Sequence, residues 1–279
     1  MSNLFKYHLQ KARRESRSIA AFNVFNMQSI RGVVEAAEEA GQPVIVQPSV
    51  GTVKRLGVET LYAMIEGMRS HTRESVILHL DHCGDTELAK RCIDHGWDAV
   101  MIDFSSLPLC ENIFRTASVV RYAHARGCAV EGEVGVISGV EDDISHDTAH
   151  PANFEDTISF LEKTRVDAIA PSIGTAHGEY KEEPMLNYAL LERLAKHQET
   201  PLVLHGGTGL TDEQFLKLIK SGIVKINLST VLKRTWHEAL VQHLPRHKVS
   251  APMDVDEATE KAIQKMAVSY IQLFAGAAS

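Results

Sequence analysis

Eight times between residues 20 and 243, a short apolar run gives way to a longer amphipathic one. That alternation leaves the chain few architectures. The apolar runs are Ala20–Phe25, Pro43–Gln47, Val76–Leu80, Ala99–Ile102, Ala129–Glu133, Ala168–Ala170, Leu202–Leu204 and Val224–Asn227. Near-continuous apolar runs of this kind, separated by helices, predict parallel strands covered on both faces. The spacing of apolar residues predicts helices over Ile30–Ala40, Val58–Met68, Thr86–His95, Phe114–Ala125, Phe154–Glu162, Tyr188–Ala195 and Asp212–Ile219. Gly41, Gly96, Gly127 and Gly222 follow four of these, where helices commonly stop. Eight β/α units predict an α/β fold closed into a (β/α)8 TIM barrel rather than an open, doubly wound sheet. The 279 residues are read as a single domain, 1–279, since such a barrel typically takes about 250. Val255–Phe274 predicts an additional C-terminal helix, with Asp254 or Asp256 as its cap.

Composition narrows the partners. A net charge of −7 offers no general attraction to nucleic acid or to an anionic membrane. No apolar run approaches the roughly 20 residues needed to cross a bilayer. The segment from Leu4 to Arg17 is basic and amphipathic but has neither an apolar core nor a cleavage site. A cytoplasmic protein is the expectation. Cys83, Cys92, Cys110 and Cys128 form no CxxC pair, and free thiols in a reducing compartment follow. The longest stretch without periodicity, Val136 to Ala152, is rich in Gly, Asp and His, and loops of that length are usually functional or mobile.

Polar residues crowd the C-terminal ends of the apolar runs, where barrels of this type place their sites. In chain order these are Asn23, Gln47 and Ser49, Asp81 and His82, Asp103 and Ser105, Glu131 and Glu133. Ser172 and the segment Gly174 to Gly178 follow, then His205 to Gly209, then Asn227, Ser229 and Thr230. A lone histidine after a strand is more often a hydrogen-bonded structural residue, and the chain has 14. His82, His177 and His205, however, stand at three strand ends, each beside Gly or Asp. Three histidines plus an open position are typical of catalytic zinc. Consecutive strand residues face opposite sides, so Asp81 and His82 reach one site only if the chain bends, and Cys83-Gly84 is the expected bend. The Gly-rich turn His205 to Gly209 and the turn Asn227 to Thr230 offer backbone N–H groups and hydroxyls at helix starts, a phosphate cradle in the usual barrel position.

At these residues the chain resembles the class II, metal-dependent ketose-bisphosphate aldolases of the fructose- and tagatose-bisphosphate type. The resemblance runs through Ala21-Phe22-Asn23, His79 to His82, Glu131 to Gly135, Gly139 to Asp143, Gly174 to Gly178 and Leu204 to Gly209, ending at Lys225-Ile226-Asn227. It implies a TIM barrel that cleaves a phosphorylated ketose to dihydroxyacetone phosphate and an aldehyde. Catalytic Zn2+ would sit on His82, His177 and His205, with Asp103 and Glu133 as ligands of a second or alternate metal seat. Asp81 would move the proton of the C4 hydroxyl, and Glu141 the proton at the carbon that becomes nucleophilic. Gly178, Gly206, Gly207, Thr208, Asn227, Leu228, Ser229 and Thr230 match the dihydroxyacetone-phosphate pocket, where a monovalent cation (Na+ or K+) often assists. Asn23, Gln47 and Ser49 match the lining of the substrate cleft. The family is usually dimeric or tetrameric. Ser229 departs from the pattern, which has Asp in the fructose branch and Ala in the tagatose branch; Phe104-Ser105-Ser106 and Val50-Gly51-Thr52 also differ. The departures fall in the sugar pocket, so a ketose 1-phosphate or a modified sugar is the alternative substrate.

Three other functions fit the residues less well. A Schiff-base aldolase needs a desolvated lysine, for which Lys225 is the candidate. A metal-dependent hydrolase would carry a second histidine at His-x-His spacing, which these strands lack. A non-catalytic sugar-phosphate binder would have no use for Asp81 and Glu141 together.

Overall fold

The computed structural model describes residues 3–141, 144–146, 150–178, 180, 183–244 and 251–276, with backbone alone at 140, 141 and 144–146. Its strands are β1 (Ile19–Phe22), β2 (Val44–Val46), β3 (Val76–Cys83), β4 (Ala99–Ile102), β5 (Ala129–Val134), β6 (Ser138–Glu141), β7 (Ile144–His146), β8 (Ala168–Pro171), β9 (Ala176–His177), β10 (Leu202–Leu204) and β11 (Ile223–Leu228). The first helices are α1 (Leu4–Arg14), α2 (Met27–Ala40), α3 (Val50–Leu56), α4 (Val58–Arg69), α5 (Thr86–Asp94) and α6 (Leu109–His124). They are followed by α7 (Phe154–Thr164), α8 (Tyr188–His197), α9 (Asp212–Lys220), α10 (Thr230–His243) and α11 (Pro252–Gly276).

Eight strands close a parallel barrel in the order β1-β11-β10-β8-β5-β4-β3-β2, each on one of the eight apolar runs. Alternation along them separates two cores. Outward residues such as Phe22, Val46, Leu78, Val100, Val130, Ile169, Leu204 and Ile226 pack under the surrounding helices. Inward residues near the strand starts are small or aliphatic: Ile19, Ala21, Ile45, Ile77, Ala99, Ala129, Ala168 and Val203. Helix α1 lays Phe5, Leu9 and Ala12 across this end of the barrel, all buried. The basic N-terminal segment is therefore a structural helix. Farther along the same strands the inward positions turn polar.

Several expectations need correcting. Helix α2 starts at Met27, not Ile30, because Asn26 and Ser29 form a reciprocal capping box. Helix α6 starts at Leu109 behind Pro108, and Phe114, read as its first apolar residue, is exposed. Helix α3, unanticipated, is capped by Ser49. Helix α11 starts at Pro252, where a missing N–H is harmless, so Asp254 and Asp256 lie inside it and cap nothing. The aperiodic stretch after β5 contains an antiparallel ladder of β6 and β7, and β6 also pairs in parallel with β9. No helix of the described residues is long and apolar enough to cross a membrane.

Candidate active site

The bend that brings Asp81 and His82 together lies at His82 itself, not at Cys83-Gly84. His82 has φ of 41°, and Leu80 pairs with Val100 while Cys83 pairs with Ile102. Three steps along β3 thus match two along β4, which is a β-bulge. The extra residue re-aims one side chain, and two neighbours face one pole of the barrel.

The three expected ligands converge there. One ring nitrogen from each of His82, His177 and His205 lies within 4.8 Å of the others, and all three side chains are buried. His82 Nε2 faces His205 Nδ1 at 2.5 Å. The other nitrogens of these two rings are held by carboxylates: His82 Nδ1 lies 2.8 Å from Asp103 Oδ2, and His205 Nε2 lies 2.9 Å from Glu131 Oε1. Carboxylates behind imidazoles fix tautomer and ring orientation in metal sites. The donor set therefore fits a divalent metal: three imidazoles, two of them oriented from behind, in an acidic surround.

A second group of possible ligands shares His82. Its members are His82, Asp103 and Glu133, again within 4.8 Å. Burial opposes a charge on Asp103, yet contacts with His82 and the Ser105 N–H outweigh it and hold the carboxyl well below its usual range. Glu133 moves the other way, raised by burial and by neighbouring Asp103. Burial disfavours a cationic His82, but Asp81, Asp103 and Glu133 together overcome it. Whatever occupies this pole, positive charge is what the surroundings favour.

Asp81 is fixed on both oxygens. The Asn23 Nδ2 donates to one at 2.6 Å and the Asn227 Nδ2 to the other at 3.3 Å. Asn23 in turn accepts from Gln47 Nε2 at 2.8 Å. Asn23 and Gln47, expected to line a cleft, form a chain of hydrogen bonds that holds an acid in place. Ser49 forms an isolated parallel bridge with Asp81, and its hydroxyl caps α3.

The expected phosphate turns lie side by side. At Gly206 φ is 71°, and a Cβ there would stand 2.4 Å from the carbonyl oxygen of Ala176. At Gly207 it would stand 2.8 Å from that of Asn227. Thr208 accepts from the Val231 N–H in the first turn of α10, joining the two turns. Ser229, at the start of α10, keeps a buried hydroxyl with no hydrogen-bond partner among the described residues, aptly placed for an anion at a helix N-terminus. Thr230 begins that helix, and Gly178 has φ of 88°. Leu228 needs correction: its side chain is buried in the outer core, its carbonyl accepts from Asn23 N–H, and its backbone is paired with β1.

Two residues were missed. Tyr180 donates to the Gly206 carbonyl at 2.6 Å and accepts from the Ala176 N–H at 3.3 Å, tying the strand of His177 to the Gly-rich turn. Nothing local in the sequence signals it. Glu131 was placed at a strand end but given no role, although its two-residue spacing from Glu133 puts both on the inner face. Glu141 ends β6, and its side chain lies outside the described residues. The same ladder that carries it pairs Gly139 with His177.

The model of the class-II fructose-bisphosphate aldolases matches residues 3–278. A sulfofructosephosphate aldolase of Alkalicoccus urumqiensis is 38% identical over 86% of this chain and 84% of its own length. A fructose-bisphosphate aldolase of Geobacillus stearothermophilus is 38% identical over 81% and 79%. The crystal structure of the YdjI aldolase from Escherichia coli K12 superposes with a TM-score of 0.87 at 31% identity, covering 98% of this chain and 97% of that one. The chain belongs to the class-II fructose-bisphosphate aldolase family. It is an aldolase, a carbon–carbon lyase on a TIM barrel.

Proposed function

We propose that this aldolase is zinc-dependent and cytoplasmic, and that it cleaves a ketose phosphorylated at C1 to dihydroxyacetone phosphate and an aldehyde. The observation that carries the reading is the convergence of His82, His177 and His205 beside a doubly anchored Asp81. Bound Zn2+ supplies a Lewis acid for the negative charge that develops as the carbon–carbon bond breaks. Asp81 takes the C4 hydroxyl proton, and Asn23 and Asn227 keep its carboxylate aimed while it does so. Glu141 exchanges the proton at the carbon released as a carbanion equivalent. Asp103 and Glu133 form the alternate metal seat with His82.

The 1-phosphate lies on Gly178, the turn Gly206 to Thr208 and the residues Asn227 to Thr230, with Ser229 donating its buried hydroxyl. A Na+ or K+ ion, if bound with the phosphate, would offset part of its charge. The far end of the sugar carries a phosphate, as in fructose or tagatose bisphosphate, or differs from it, as in a ketose 1-phosphate or a modified sugar. Equal identity to a fructose-bisphosphate and a sulfofructosephosphate aldolase supports keeping both. The chain works as a homodimer or homotetramer.

A retro-aldol assay tests the reading. Fructose and tagatose bisphosphates, their 1-phosphates and a sulfonated ketose 1-phosphate are incubated with enzyme, with and without chelator, and dihydroxyacetone phosphate is measured. Chelator-sensitive release from one of them is expected. Release from none sinks the proposal.

A further inference from the structure

The sequence marks Lys225 as a Schiff-base candidate, but its ammonium is already engaged. It is fully buried inside the barrel, forms an ion pair with Glu131 Oε2 at 2.9 Å and donates to Asn227 Oδ1 at 2.8 Å. Each partner acts on a different piece of the site. The other oxygen of Glu131 holds His205 Nε2 at 2.9 Å, leaving Nδ1 toward His82. The other end of the Asn227 amide donates to Asp81 Oδ1 at 3.3 Å and stands equally close, 3.3 Å, to His205 Nε2. One cation thus sits beneath two arms, one ending on a metal-ligating imidazole and one on the proposed base. A buried Lys–Glu pair is weak as a stabilising device, because desolvation offsets most of its attraction. The strand register brings it there anyway: Lys225 and Asn227 are two apart on β11, so both face inward.

We propose that Lys225 is a positioning residue that fixes the His205 tautomer through Glu131 and the Asp81 orientation through Asn227. The proposal rests on the zinc-aldolase reading, though three of its readouts need no substrate. Lysine suits the role because its ammonium offers three donors and no acceptor. It therefore forces both partners to present oxygen. The Asn227 amide cannot flip without aiming its NH2 at a cation, so its NH2 stays on Asp81.

Lys225→Met is compared with the double variant Lys225→Met/Glu131→Gln, which removes the buried charge left behind in the single one. Folding is followed by thermal melting and Zn2+ affinity by competition with a chromophoric chelator. In the single variant Zn2+ affinity and kcat are each expected to fall about 10- to 100-fold, the usual cost of losing an outer partner of a metal site. In the double variant the melting temperature recovers while kcat and Zn2+ affinity stay low and KM changes little. Full recovery of all four, or no loss in the single variant, would show that Lys225 only balances charge and would overturn the proposal. Imidazole 15N spectra of metal-free wild type give a check independent of either variant. They should show His205 as the Nε2–H tautomer, and the Nδ1–H form would also overturn it. Tight Zn2+ binding and the expected tautomer without any sugar cleavage would instead sink the functional reading and leave this one intact.

Discussion

His82 and Asp81 are chain neighbours whose side chains meet at one pole of the barrel because His82 holds φ at 41° inside a β-bulge. A regular strand would put one of them among the outer helices. The bulge brings a proposed zinc ligand and a proposed base together on one strand. Asp81→Ala should therefore lower kcat by about 10²- to 10⁴-fold, the range for a positioned general base, while leaving bound zinc unchanged. Turnover and metal content measured on the same preparation check it, and undiminished turnover removes Asp81 from the mechanism.

Metal removal should affect stability as well as activity. Binding to the folded state alone adds about 4 kcal/mol when free metal exceeds its Kd a thousandfold. Dialysis against chelator should abolish cleavage and lower the melting temperature, and Zn2+ should restore both. An unchanged melting temperature with tightly bound zinc would contradict the placement on three buried histidines.

Gly206→Ala tests the phosphate turn. The new Cβ meets the Ala176 carbonyl at 2.4 Å and requires a left-handed backbone at a non-glycine residue, a strain of about 1–3 kcal/mol before any clash is relieved. The turn must shift, so KM for a 1-phosphorylated ketose should rise more than kcat falls. A kcat loss at constant KM would argue against a phosphate there.

Alkaline pH should weaken the fold through groups buried in their neutral form. Burial pushes the Cys83 thiol from 9.0 up to about 11 and the Tyr180 phenol from 10.0 up to about 12. In both cases the unfolded chain loses its proton first. The stability they contribute is fully present below pH 9, begins to fall there for Cys83 and one unit higher for Tyr180, and is lost as pH passes the folded values. Each is worth up to roughly 3 kcal/mol. Melts between pH 8 and 11 should show the decline, and Cys83→Ala should make it shallower. Among the four thiols only Cys110 is exposed, so native protein should react rapidly at one.

Phe5→Ala should cost about 3–5 kcal/mol, as for other fully buried aromatics. Phe5 is buried at 0% exposure and stacks on His79 at 5.2 Å. Urea unfolding monitored by tryptophan fluorescence measures it.

The barrel was legible because buried parallel strands leave unbroken apolar runs, and each of the eight runs carries a strand. Helix starts were less so. Caps at Asn26 and Pro108 outrank hydrophobic spacing, and an exposed Phe114 imitates a core residue. The β6–β7–β9 sheet escaped notice because Gly, Asp and His carry little strand preference. The three histidines were readable from their place at strand ends, whereas the bulge at His82 leaves no local trace. Glu131 and Lys225 could each be seen to face inward. That they meet depends on the closed order of the strands, which no spacing within one strand encodes.

Helix α1 has a consequence beyond its own packing. With Phe5 and Leu9 as a floor, the barrel is covered at the end where its strands start. The polar pole formed by Asp81, His82, His177 and His205 lies farther along the same strands, away from that floor.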